Sequence, residues 1–97
     1  MAIIIHCHYK GAEGAVRGFF DEMQRGLQQE VYAEDGCMQY DYYLSAKDGC
    51  AGVLLERWRD DAALSAHQTG EPMQKLRRVK EKYGIDTRVE RYEVKES

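Results

Sequence analysis

Apolar residues recur along this chain at two spacings, every second residue or every third to fourth, and the switches between them delimit its elements. Residues 2–9, "AIIIHCHY", are β-branched and then alternating, which predicts a first strand. After the glycine-containing turn "KGAEG", the apolar groups Val16, Phe19, Phe20, Met23, Leu27 and Val31 share one helical face. That spacing predicts one long amphipathic helix over residues 13–33. It ends at "EDG", where Gly36 can take the left-handed conformation that closes helices. "CMQYDYYLS" and "AGVLLERWR" alternate again, and the Asp-Gly signal in the "AKDG" between them predicts a hairpin. Asp60 is placed to cap a short helix, "DAALSAHQ", stopped by Gly70. Pro72 opens a further helix carrying Met73, Leu76 and Tyr83, closed by Gly84, and "DTRVERYEV" predicts the last strand.

The order β-α-β-β-α-β, with the second helix broken in two, describes an α+β, ferredoxin-like sandwich. It has a four-stranded antiparallel sheet with helices on one face, in a single domain over residues 1–97. Right-handed crossovers place strands 1 and 3 at the centre and strands 2 and 4 at the edges. Both central strands are apolar on both faces: Ile3 and Ile5 oppose Ile4, and Val53 and Leu55 oppose Leu54 and Trp58. One chain supplies helices for only one face. A homodimer packed sheet on sheet, a dimeric α+β barrel, is therefore expected to cover the other.

Composition narrows the partners. A net charge of −3, with basic residues interspersed among acids, argues against nucleic acid or an anionic membrane. The apolar start "MAIII" is far shorter than a signal or membrane segment, so a cytoplasmic location is expected. Three cysteines, an odd number, fit a reducing compartment, with each read as a small apolar residue. No glycine-rich phosphate loop or dinucleotide fingerprint appears, so no nucleotide cofactor is indicated.

The run "EDGCMQYDYYLSAKDG…GVLLERWRDDAALSAHQTGEPM" resembles the antibiotic biosynthesis monooxygenase family of small dimeric α+β barrels. The family pattern falls on Gly36, Cys37, Tyr40, Glu56, Trp58, Ala63, Leu64 and His67. The resemblance implies a cofactor-independent monooxygenase acting with dioxygen on a small aromatic, a quinol or polyphenol. It further implies a cavity between sheet and helices, lined by Leu54, Glu56 and Trp58 of strand 3 and by Met38, Tyr40 and Tyr42 of strand 2. The chain departs from the pattern where "TGEPM" lacks a second His, and where Arg77 replaces the iron-ligating His of haem-degrading relatives.

His67 is the candidate catalytic base, because an imidazole can take a proton near neutrality. Trp58 offers an apolar wall with one donor, Tyr40 and Tyr42 offer phenols, and Glu56 needs a partner if it is buried. These four are candidate substrate-binding residues, as is His6. His6 and His8 of "HCH" share a strand face, and with a third ligand such as His67 they could hold zinc, copper or iron. Without a carboxylate or Cys at matching spacing, no metal is expected. Two alternatives stand beside the oxygenase: a small-metabolite isomerase using His67 and a tyrosine, and a ligand-binding dimer without catalysis.

Overall fold

The computed structural model describes residues 1–47 and 49–95. Its elements are β1 (Ala2–Lys10), α1 (Ala15–Gly26), α2 (Gln28–Tyr32), β2 (Cys37–Leu44), β3 (Ala51–Trp58), α3 (Asp61–Gln68), α4 (Glu71–Tyr83) and β4 (Asp86–Val94). The strands pair antiparallel in the order β2-β3-β1-β4, so β1 and β3 are central, as expected. Helices cover one face of this sheet. The Asp-Gly turn signal at Asp48 lies outside the described residues. No helix among the described residues is long and apolar enough to cross a membrane.

The covered face is built from the odd positions of β1. Ile3, Ile5, Cys7 and Tyr9 are buried and meet Val16, Phe19, Phe20 and Met23 of α1. Tyr9, Phe19, Phe20 and Tyr42 pack ring against ring at centroid separations of 4.9–5.9 Å, within the range where edge-on and tilted aromatic pairs attract. Each such side chain contributes about 1.5–3 kcal/mol on burial. Leu54, Glu56 and Trp58 of β3 and Tyr40 and Tyr42 of β2 lie on the same side. The even positions of β1 face the other way. There Ile4, Val53 and Leu55 are half-buried and Tyr43 and Tyr92 are exposed.

Two expectations need correction. The helix expected over residues 13–33 is two helices, because Gly26 weakens the first and Leu27 turns out of helical geometry at φ −129°. The turn keeps Leu27 and Val31 in the core and lets the Gln28 side chain donate to the Tyr40 carbonyl at 2.9 Å. Met38, expected beside Tyr40 on the covered face, is instead 51% exposed. A bulge between Cys37 and Gln39 inserts Met38 into β2 and changes the strand's phase, so Cys37 packs against the core in its place.

The loop before β2 is fixed tightly against α3. Gly36 sits at φ +84°, and its carbonyl accepts from the Arg59 N–H at 2.8 Å. The Arg59 guanidinium forks onto the Asp35 carboxylate at 2.9 and 3.1 Å. A Cβ at Gly36 would stand 2.4 Å from Ala63 Cβ. Gly36→Ala therefore meets left-handed strain and a backbone-level clash together, and should cost about 2 kcal/mol or more in urea denaturation. Gly26→Ala, where a Cβ meets nothing within 4 Å, should change stability by under about 1 kcal/mol. Equal effects at the two sites would refute this account of the loop.

Candidate functional site

The site begins with a helix cap. Asp60 takes an extended conformation, and its Oδ1 accepts from the Ala63 N–H at 2.8 Å, which starts α3. From that start, Ala63, Leu64 and His67 fall on one buried face, three and four residues apart. His67 is only 2% exposed. Its ring stacks on Trp58 at 4.5 Å and 28°, and Tyr40 meets it edge-on at 5.7 Å.

Polar contacts orient the ring further. His67 Nδ1 lies 3.0 and 3.1 Å from the two oxygens of Glu34. A carboxylate only accepts hydrogen bonds, so Nδ1 carries the hydrogen and donates it, leaving the Nε2 lone pair free. The Glu56 Oε1 atom lies 3.9 Å from Nε2, beyond hydrogen-bond length. Glu56 is itself buried. It accepts the Trp58 indole N–H at 3.0 Å and the Cys7 S–H at 3.3 Å.

Burial sets the protonation of this group. It raises the Glu56 carboxyl above the usual carboxylate range, against the opposing pull of Trp58, His67 and Cys7. It pushes the Cys7 thiol up to about 12, so Cys7 is a protonated donor rather than a nucleophile at neutral pH. The phenols of Tyr9, Tyr40 and Tyr42 are raised by the same cause and stay protonated. The two polar groups that face each other at this site are the His67 imidazole and the Glu56 carboxyl, 3.9 Å apart at their nearest atoms.

Both border one cavity of about 140 Å³, whose apolar walls include Ile5, Leu64, Met73 and Leu76. Lys80 also borders it, with its ammonium held below the usual lysine range by desolvation. The volume is close to that of an apolar cavity of roughly 150 Å³ known to hold benzene. One aromatic ring is thus the natural scale for a ligand.

Of the residues expected at the site, His67 and Glu56 line this cavity. Trp58, Tyr40 and Tyr42 lie on the same side of the sheet but are packed into the core, with Trp58 covered by the His67 ring. They support the site and do not line it. His6 is not at the cavity, because alternation in β1 sends Ile5 and Cys7 to the helices and His6 and His8 to the open face. For the same reason His67 cannot join the two as a third metal ligand. Glu34 went unrecognised: it lies in the loop before β2, separated from His67 by 33 positions, and no local spacing signals the pair.

Comparison with known proteins agrees with the fold and its class. Residues 2–79 match the profile of the family described as antibiotic biosynthesis monooxygenase. The Mycobacterium tuberculosis protein Rv0793, whose name assigns it provisionally to the monooxygenases, is 44% identical over 57 residues, 59% of this chain. The matched stretch spans about half of that relative, 52% of its length. The solved structure of Rv0793 superposes with a TM-score of 0.78 at 28% identity, covering 100% of this chain and 98% of the other. A Deinococcus radiodurans structure provisionally classed in the same family gives a TM-score of 0.84 at 17% identity, covering 98% and 94%.

The raised Glu56 carboxyl has a measurable signature. Its protonated form is favoured by folding, so the stability it contributes is complete below pH 4.5 and is lost as pH rises through its folded value. Against Glu56→Gln, which does not titrate, the unfolding free energy of the wild type should fall as pH increases above 4.5. Urea denaturation of both proteins across pH checks this, and a difference that stays flat or rises with pH would overturn it.

Proposed function

The chain belongs to the antibiotic biosynthesis monooxygenase family, and we propose that it is a cofactor-independent monooxygenase of a single-ring phenol or quinol, with His67 as its base. The observation that carries this reading is the pairing of a Glu34-anchored imidazole with a one-ring cavity: Nδ1 is held, and Nε2 is left as the free basic atom. Glu56 is the substrate-binding polar group in this scheme. Trp58 and Tyr40 are positioning residues that hold the His67 ring, and Tyr42 backs Tyr40 at 5.7 Å.

The chemistry closes without an outside reductant. Nε2 takes the phenolic proton, and the phenolate gives one electron to dioxygen. The resulting radical pair recombines to form a ring carbon–oxygen bond. The ring C–H proton then passes to the terminal peroxide oxygen as the O–O bond breaks, leaving a quinone carbonyl and hydroxide. The departing hydroxide takes a proton back from His67 and leaves as water. One oxygen atom enters the product, the other leaves as water, and the substrate supplies all four electrons. A positioned base contributes about 10²–10⁴-fold to such a sequence.

A second reading, an isomerase of a small oxygenated metabolite, draws support from the raised Glu56 carboxyl opposite the His67 base. A carboxyl whose protonated form is favoured by burial and an imidazole across one cavity suit keto–enol proton transfer. The two readings separate in one experiment. Oxygen uptake with hydroquinones should survive chelator, fall about 10²–10⁴-fold in His67→Ala, and be greater for one-ring than for two-ring substrates. Absence of uptake, with solvent-proton exchange into a keto–enol substrate instead, would replace the first reading by the second. Binding without either activity would leave a ligand-binding protein.

The proposed assembly is a homodimer through the open sheet face, supported by half-buried Ile4, Val53 and Leu55 beside exposed Tyr43 and Tyr92. Sedimentation velocity should give a dimer at micromolar concentration, and Leu55→Glu should shift it to monomer. A wild-type monomer would refute the assembly.

A further inference from the structure

The "HCH" of β1 takes no part in the cavity, yet its two histidines are not isolated. They stand on the open face, where the strand register sets Glu90 of β4 directly across from His6. Glu90 Oε1 lies 2.6 Å from His8 Nε2 and 4.0 Å from His6 Nδ1. One ligand atom from each of the three residues lies within 4.8 Å of the other two.

We propose that His6, His8 and Glu90 form a binding site for a borderline divalent transition-metal cation, of which zinc is the representative. The ligand types fit, since two neutral imidazoles and one carboxylate are a recurrent set for zinc and its neighbours. The scaffold also fits. Residues two apart on a strand project in parallel, and their cross-strand neighbour meets them over the same pleat. With metal–ligand distances of about 2.0–2.1 Å, tetrahedral ligand atoms sit about 3.3 Å apart. The 2.6 Å pair must therefore open and the 4.0 Å pair close, each by less than about 1 Å, while the two imidazole nitrogens, up to 4.8 Å apart, must close by up to about 1.5 Å. In the single chain the three side chains are each 34% exposed, and in the proposed dimer the fourth position falls to water or to a donor on the apposed sheet.

The neighbouring charges do not block the site. Arg88 is the competing cation, but it approaches the other oxygen, Glu90 Oε2, at 3.4 Å. Tyr92 packs edge-on against the His6 ring at 5.4 Å and limits its rotation on one side.

The test is zinc titration by calorimetry of the full chain after treatment with chelator, paired with cobalt absorption spectroscopy. The expected result is saturable micromolar binding of one zinc per chain, with a cobalt spectrum free of thiolate charge transfer. His8→Gln and Glu90→Gln should each weaken binding about 10–100-fold or more. Arg88→Ala should tighten it, an outcome that damage to the fold cannot mimic. No saturable binding, equal binding in the His6→Gln/His8→Gln double variant, or a thiolate band pointing to the cysteines would each overturn the site. Because the cavity lies on the other face, these results stand apart from the oxygen-uptake experiment.

Discussion

In β1 every odd residue turns toward the helices and every even one toward the open face, and pairing on both sides locks that phase. The strand is bonded to β3 along one edge and β4 along the other, with Ile5 opposite Glu56 and Arg91, and His6 opposite Leu55 and Glu90. A slip of one residue would exchange the two sets and drive His6 and His8 into the apolar core. The burial of Ile3, Ile5, Cys7 and Tyr9 opposes such a slip, so the same apolar residues that build the core also decide which polar groups meet on each face.

On the helix side, the outcome is a histidine held by three different kinds of contact. The Asp60 cap fixes where α3 starts, and so which face His67 occupies. Trp58 fixes the plane of its ring by stacking, and Glu34 fixes the tautomer by accepting from Nδ1. None of these contacts uses Nε2, the atom that the proposed function assigns to the substrate. The indole of Trp58 has a second task, because its N–H partly offsets the cost of burying the Glu56 carboxyl.

Much of this was legible in the sequence because it is periodic. The strands, the central place of β1 and β3, the Asp60 cap and the buried position of His67 all follow from spacing that a single residue pattern carries. The failures are equally local. Gly26 beside Leu27 is only a weak sign of the helix break, since glycine is tolerated inside helices, and the Met38 bulge changes strand phase with no glycine or proline within it. Partners distant in sequence were invisible: Glu34 to His67, Cys7 to Glu56, and Glu90 to His8 meet only through the sheet register and the loop packing. The expectation of no metal rested on the lack of a carboxylate near "HCH" in the chain, and the carboxylate in question is 82 positions away.

The cavity's two kinds of wall come from different parts of the chain. Its polar wall residues Glu56 and His67 belong to β3 and α3, and Glu34, which bonds His67 from behind, lies in the loop before β2. Much of its shape comes from later elements: Met73, Leu76 and Lys80 of α4, and Thr87 and Val89 of β4. Substitutions in α4 and β4 can reshape the chamber without touching the contacts that set the imidazole. Under the proposed function, ligand preference and proton chemistry are therefore free to diverge at different rates, and a lineage could change what it accepts while keeping the His67 contacts intact.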